Sequence, residues 1–369
     1  MRIDLVITEL FVGGAEKCLT ELALGLRSRG DQVRVFSLAP LPVGPQRQLV
    51  DRLEAASIPV ASGDALSSWE FFRVIHRLRR WLQDDPPELV QTFLFHGNVA
   101  GTRAARQANV PRCVGGIRVA ERKPMRCWLE RREVARMDAV ICVSDQVQEF
   151  AVEHLKANPD RCFTIANGID AKRFATADGF CWSDLDWPDD SIVTLFVGRM
   201  HPQKGIERLQ EQIEFLVPPG GNKRLLLVGE GPLSPSIDTW IRRRGDNRVV
   251  RLPWQADVAP LMKACRVLIL PSYYEGMPNV VLEAMAAGKP VVCSRVEGVQ
   301  QLLQHDLQRQ SFAVDDVGAM KNLIAAFLND EALADEAGLR NQQRVEQEFS
   351  LEQMVDAYRD GYRVLLAGR

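Results

Sequence analysis

The stretch Tyr274-Glu275-Gly276-Met277-Pro278-Asn279-Val280-Val281-Leu282-Glu283-Ala284-Met285-Ala286-Ala287-Gly288-Lys289-Pro290 decides the fold, read together with the apolar run Val267-Leu268-Ile269-Leu270 before it. The run predicts a short buried strand ending at Pro271. A loop of small residues follows. Val280–Ala287 then predicts a helix, with Gly288 as its stop and Pro290 beyond. Strand, loop and helix in that order make one unit of a parallel α/β sheet. Gly276, Met277, Pro278 and Asn279 therefore stand at a helix N-terminus, where backbone N–H groups and the helix dipole attract phosphate. Glu275 lies beside that anion site and Glu283 about one turn into the helix, each able to accept hydrogen bonds from hydroxyls. An anion cradle between two hydroxyl acceptors suits a nucleotide-sugar, which carries ribose, diphosphate and hexose. The same spacing also fits a buried strand and helix of any α/β domain with two surface glutamates.

Outward from this stretch, short apolar runs alternate with helical patterns along the whole chain, which predicts parallel sheets covered by helices. In the first half, strands are predicted at Ile3–Thr8, Val33–Leu38, Leu89–Phe93 and Ala139–Val143. In the second half they are predicted at Ile192–Val197, Arg224–Val228, Arg248–Leu252, Val267–Leu270 and Val291–Cys293. The acidic, turn-rich segment Ala175–Asp190 breaks the series and reads as a connector. A chain of 369 residues exceeds one hydrophobic core, so two domains are expected. The boundaries are 1–175 for the first, 176–190 for the connector, 191–349 for the second and 350–369 for a closing amphipathic helix. In that helix Leu351, Met354, Val355, Tyr358, Tyr362, Leu365 and Leu366 share one side.

Composition narrows the function classes. Apolar content of 46% and charged content of 25% are those of an ordinary globular protein. A net charge of −2 gives no global field toward nucleic acid. The eight cysteines are scattered without a C-x-x-C pair, the initial apolar run is too short for a signal peptide, and no window approaches the ~20 apolar residues of a membrane span. A reduced, cytoplasmic protein is expected.

Several loops carry chemistry. In Phe196-Val197-Gly198-Arg199-Met200-His201-Pro202-Gln203-Lys204-Gly205 a strand ends at Gly198, and Arg199 and Lys204 lie beyond its carboxyl end. Ligands of parallel sheets bind there, and two cations can hold a diphosphate, the arginine as a fork and the lysine as a point charge. Solvated loop cations are the alternative. Val228-Gly229-Glu230-Gly231 is a second strand-to-glycine turn, without the third glycine of a dinucleotide fingerprint. Gly13 and Gly14 join the first strand to its helix and permit close approach of a ligand or simply a tight turn. His96 follows Leu89–Phe93, where it is either structural or functional. Asp184-Leu185-Asp186 spells D-x-D, yet it lies in the connector, so no metal is expected. Arginines cluster between Arg112 and Arg136, among them Arg118 as a candidate to bind an anionic acceptor, and Phe71–Leu82 is basic and amphipathic. The latter suits either an anionic membrane or a core-facing surface helix.

Glu275-Gly276-Met277-Pro278-Asn279 through Glu283 and on to Pro290-Val291-Val292 resembles the signature of the family 4 (group 1) retaining glycosyltransferases. In these a glutamate is followed by seven residues and then a second glutamate, as at Glu275 and Glu283. Gly198-Arg199 through Gln203-Lys204-Gly205 resembles the family's diphosphate-binding loop. The resemblance covers nearly the whole chain and implies the GT-B fold: two Rossmann-like α/β domains facing across a cleft, with the last helix crossing back to the first. It implies a nucleotide-sugar donor, UDP favoured over GDP, held without a metal by Arg199, Lys204, Gly198, Gly229, the Gly276–Asn279 loop and Glu283. Glu275 would position the sugar, His96 would stand near its reacting carbon, and Gly13 and Gly14 would line the cleft. The implied reaction is hexosyl or N-acetylhexosaminyl transfer to a glycan or lipid-linked acceptor, with peripheral contact to an anionic membrane through the basic first domain. A nucleotide-sugar epimerase or phosphorylase, or a non-catalytic scaffold, are the alternatives. The chain departs from the family at Ser294–Gln301, which replaces two glycines and a later glutamate, and at Ala166, where relatives often have proline.

Overall fold

The computed structural model describes residues 1–368. They form two compact units, one of Met1–Gly168 with the chain from Leu351 onward, the other of Ile169–Ser350.

The first unit holds a parallel sheet of β1 (Arg2–Ile7), β2 (Gln32–Ser37), β3 (Val60–Ser62), β4 (Leu89–Phe93), β5 (Arg112–Ile117), β6 (Ala139–Cys142) and β7 (Cys162–Thr164). Its spatial order is β3-β2-β1-β4-β5-β6-β7. Strands that are buried along nearly their whole length, such as β1 and β4, are covered on both faces, and helices supply that cover. The second unit repeats the design with β8 (Ile192–Val197), β9 (Lys223–Val228), β10 (Val249–Leu252), β11 (Val267–Leu270), β12 (Val291–Ser294) and β13 (Ser311–Phe312), in the order β10-β9-β8-β11-β12-β13. In each unit the order reverses beside the first strand, between β1 and β4 and between β8 and β11. Those are the switch points where loops diverge at the carboxyl edge and leave a crevice.

Four strands carried no sequence expectation: β3, β5, β7 and β13. β5 has Gly115 and Gly116 at its centre, which mark it as a weak strand former. Packing supplies the reason for both. A Cβ on Gly116 would lie 2.6 Å from the Thr92 carbonyl, and one on Gly115 would lie 2.2 Å from Met137 Sδ.

The unit boundary also differs from the expected connector at 176–190. The chain changes unit at Gly168–Ile169 and again at Ser350–Leu351. Segment 176–190 packs within the second unit, where Trp182 and Trp187 are buried with ring centroids 5.8 Å apart. Trp187 Nε1 donates to the Asn247 carbonyl at 2.5 Å, and Phe180 N to the Pro260 carbonyl at 3.1 Å. Its polar residues face water while two indoles anchor it.

The helix Leu351–Ala367 is part of the first unit and buries Met354, Val355, Tyr358 and Tyr362 against the helix Gly14–Ser28 and the sheet. Gly25 makes the close approach possible, since a Cβ there would lie 2.4 Å from Val355 Cγ2. Tyr362 OH donates to Gln91 Oε1 at 3.1 Å, and Arg359 Nε to Asp31 Oδ2 at 2.7 Å.

The basic helix Phe71–Asp84 turns its apolar residues Val74, Ile75, Leu78 and Leu82 into the core shared with Phe36 and Ala104. That face is therefore not available to lie on a membrane. No helix among the described residues is long and apolar enough to cross one.

Candidate active site

In the second unit, the sequence-expected residues gather at the switch point. The loop after β8 carries Gly198, Arg199 and Lys204, and the loop after β11 carries Glu275 through Asn279. The two loops touch. Gln203 Nε2 donates to the Tyr274 carbonyl at 2.8 Å, and Tyr273 N donates to the Gln203 carbonyl at 2.8 Å. Gly205 sits at φ +65°, and a Cβ there would stand 2.1 Å from the Pro271 carbonyl, so no other residue permits this approach.

Lys204 Nζ donates to Glu275 Oε1 at 2.5 Å, with both side chains largely shielded from solvent. Ser272 Oγ donates to the same oxygen at 2.7 Å. Charge-assisted bonds of this kind are short and hold the carboxylate in one orientation. Arg199 is exposed and forms no ion pair among the described residues, so its five donors are available to an anion. Together with Lys204 it stands near His201, whose pKa is lowered by partial desolvation and then by these two charges. His201 Nδ1 accepts from Gln203 N at 3.2 Å, so the histidine shapes the loop.

The helix after this loop runs Asn279–Ala286, with Pro278 as an extended N-cap that makes no side-chain capping bond. Glu283 is buried within it. Gly229, at φ +134°, presses on Gly198: a Cβ would lie 2.1 Å from the Gly198 carbonyl. Arg251 braces this turn by donating to the Gly229 carbonyl at 3.0 Å and to both carboxylate oxygens of Asp238 at 2.6 and 2.8 Å. Its guanidinium is thus committed within the protein.

Two residues at this site had no sequence expectation. Ser272 is a fully buried partner of Glu275, and its only signal was its place directly beyond a strand. Glu297 Oε2 accepts from Glu275 N at 3.3 Å. It lies in the Ser294–Gln301 segment, where the family pattern breaks. Gly298 next to it sits at φ +78°, with a built Cβ only 2.5 Å from the Gly276 carbonyl, so the departing loop still packs on the Gly276–Met277 turn. Asp184 and Asp186 lie on the short helical turn Trp182–Leu185 and its left-handed end, away from these loops in sequence and held by the buried indoles.

In the first unit, Gly13, Gly14 and His96 stand at the other switch point, after β1 and β4. Gly13 is an extended N-cap, and a Cβ there would lie 2.3 Å from Glu16 Oε2. The buried Glu16 carboxylate thus folds over the turn and meets the positive end of the helix Gly14–Ser28. That turn suits a hydroxyl-bearing ligand better than a phosphate. His96 is exposed in the first turn of the helix Leu94–Gln107, its ring edge-on to Phe95 at 5.0 Å. Leu94 before it is held at φ +66°, a conformation costly for a branched side chain. Thr8 Oγ1 accepts from Gly97 N at 3.3 Å and ties the two loops together.

Arg118 is not available to an anionic acceptor. It is buried, donates to Asn167 Oδ1, and reaches Tyr358 OH at 3.4 Å.

Partial desolvation, then the Arg126 charge, lower the His96 pKa below 6.5. A lowered imidazole pKa keeps the ring neutral down to and below that pH. An NMR titration of His96 should therefore give a midpoint under 6.5, moving upward in Arg126→Gln. A midpoint at or above 6.5 in the unmodified chain contradicts this.

Residues 12–173 match the family model described as Glycosyltransferase Family 4, and residues 191–330 match that of Glycosyl transferases group 1. The chain belongs to the family 4 (group 1) glycosyltransferases, with the GT-B fold. This glycosyltransferase is 25% identical over 305 residues to the UDP-Gal:alpha-D-GlcNAc-diphosphoundecaprenol alpha-1,3-galactosyltransferase of Escherichia coli, covering 77% of each chain. It is 24% identical over 356 residues to the phosphatidyl-myo-inositol mannosyltransferase of Mycobacterium leprae, covering 91% of this chain and 89% of that one. Its fold matches that of Anabaena Alr3699/HepE, solved with UDP and glucose, at a TM-score of 0.84 and 21% identity over 99% of this chain and 100% of the other.

Proposed function

We propose that this glycosyltransferase moves a hexosyl or N-acetylhexosaminyl unit from a nucleotide-diphosphate sugar, with UDP as the favoured nucleotide, to a hydroxyl of a glycan or lipid-linked acceptor. Retention of anomeric configuration, a cytoplasmic setting and a role in cell-envelope polysaccharide or lipopolysaccharide synthesis belong to the same reading. The observation that carries it is the Lys204–Glu275 pair at the β8/β11 switch point, with exposed Arg199 on the same loop. Arg199 and Lys204 neutralise the departing diphosphate, so no metal enters this reading. The Gly276–Asn279 turn receives phosphate oxygens at the helix N-terminus. Glu275, oriented by Lys204 and Ser272, accepts hydroxyl hydrogen bonds from the sugar, and Glu283 does the same for the ribose. His96 is assigned to support positive charge at the anomeric carbon.

In the proposed step, the bond from the anomeric carbon to the diphosphate oxygen breaks and the acceptor oxygen bonds to that carbon on the same face. The acceptor proton leaves with the diphosphate. Support for a lipid-linked acceptor comes from the two relatives, one named for a diphosphoundecaprenol-linked substrate and the other for phosphatidyl-myo-inositol. Support for UDP comes from the donor in the first name and from the UDP bound in the Anabaena structure.

Thermal melting with UDP, GDP, ADP and NAD, each with and without EDTA, tests the donor site. A nucleotide at 100 times its Kd adds about 2.7 kcal/mol to stability. A shift with UDP that survives EDTA is expected. No shift with any nucleotide removes the donor-site assignment.

A further inference from the structure

The turn after β12 sets a second carboxylate against the Glu275 loop. Arg295 N donates to the Phe312 carbonyl at 2.7 Å, Val296 N to the Ser294 carbonyl at 2.8 Å and Val299 N to the Val296 carbonyl at 3.2 Å. These bonds fix Glu297 between the strand and the short helix Val299–Leu303. Gly298 brings the turn close: a Cβ there would lie 2.5 Å from the Gly276 carbonyl and 2.8 Å from Met277 Cα. Glu297 Oε2 then accepts from Glu275 N at 3.3 Å. Its half-buried carboxylate stands beside the backbone of the residue that positions the sugar in the function proposed above.

The Glu297 charge has no ion-pair partner among the described residues. The cations on the neighbouring segments are directed elsewhere. Lys204 is held by Glu275 at 2.5 Å. Arg295 donates from Nε to Ser311 Oγ at 3.2 Å and from Nη2 to Gln308 Oε1 at 3.0 Å. Arg208, which is buried, lies 4.1 Å from the Tyr273 ring and reaches the Pro271 carbonyl at 3.4 Å and Asp315 at 3.8 Å. Arg199 remains, and in the proposed function it meets the diphosphate. A hydroxyl entering beside Glu297 can donate to it, whereas a further carboxylate meets a like charge in a partly desolvated space.

We propose that Glu297 determines donor specificity, making the site selective for uncharged hexosyl or N-acetylhexosaminyl groups and excluding uronosyl groups, whose carboxylate no cation there balances. The inference rests on the donor site proposed above. It acts by repulsion of the wrong donor as much as by attraction of the right one. It also gives a purpose to the Ser294–Gln301 segment, in which the chain departs from the family pattern.

Calorimetry of the full chain with matched donors tests it: UDP-glucose against UDP-glucuronate, and UDP-galactose against UDP-galacturonate, with UDP as the reference. Each pair differs only in a C6 hydroxyl or carboxylate. In the unmodified chain, a neutral donor is expected to bind roughly tenfold or more tightly than its uronate. Glu297→Gln keeps an oxygen for Glu275 N and removes the charge, so that ratio should fall to about threefold or less. A residue that only supported the loop would weaken both members of a pair alike and leave the ratio as it was. Equal affinity for both members of each pair in the unmodified chain, or an unchanged ratio in Glu297→Gln, overturns the proposal. If GDP binds in place of UDP, GDP-mannose and GDP-mannuronate form the matched pair, with the same outcomes. Absence of binding by either nucleotide instead removes the donor-site reading itself, and this inference with it.

Discussion

Glu275→Gln is expected to reduce sugar transfer by roughly 10²-fold or more while leaving nucleotide binding nearly intact. The substitution keeps the shape of the side chain and an oxygen for the Ser272 hydroxyl, which lies 2.7 Å away. It removes the charge that holds Lys204 Nζ at 2.5 Å. The lysine is then poorly solvated and unpaired, and breaking such a shielded pair costs on the order of 3–5 kcal/mol when burial is complete, less here because both groups retain some solvent. Lys204 will swing toward the diphosphate or toward water, and the sugar will lose the acceptor that fixes its rotation. The loss should appear in kcat, since orientation matters most at the moment of bond exchange. Initial rates with the best nucleotide-sugar, set beside UDP affinity by calorimetry, separate the two effects. A variant that turns over normally takes Glu275 out of the chemistry. One that loses UDP binding altogether makes it a support of the loop instead.

The largest stability effect should come from Tyr358→Ala, at about 3–5 kcal/mol. Tyr358 is fully buried, stacked on Phe93 with centroids 6.5 Å apart and edge-on to Tyr362 at 5.9 Å. Its truncation opens a cavity under the helix Leu351–Ala367 and strips a partner from buried Arg118. Burial pushes the Tyr358 phenol well above its ordinary pKa, against the opposing pull of the Arg118 charge, so it stays a neutral hydroxyl at any working pH. Tyr358→Phe keeps the ring and removes only the hydroxyl, so about 1 kcal/mol is expected. Denaturant unfolding of the three chains gives the ranking directly. Equal stability of Tyr358→Ala and the unmodified chain would mean that the last helix contributes little to holding the first unit together.

How much of this was legible in the sequence depended on whether the signal was local. The β11–loop–helix of the Glu275 stretch was legible to within a residue or so, because apolar run, glycine stop and proline all act on the backbone nearby. β5 was not, because Gly115 and Gly116 weaken a strand signal and their purpose lies in Thr92 and Met137, residues of other elements. The acidic 176–190 segment has a linker's composition, yet Trp182 and Trp187 settle it on the second unit. The moment of the helix Phe71–Asp84 said correctly that one face is covered and was silent on what covers it. Arg118 carried the charge of an anion-binding residue, and only its surroundings show that Asn167 and Tyr358 already occupy it.

The sequence by itself determined most of the elements, the glycines that let loops meet, and the kinds of group at each loop, since these follow from backbone sterics and hydrophobic period within a few residues. The tertiary structure alone decided the order of the strands. Burial of whole strand faces between helices selects that order, and no short window of sequence records it. The order makes β8 and β11 neighbours, and so brings Lys204 within 2.5 Å of a glutamate 71 positions away.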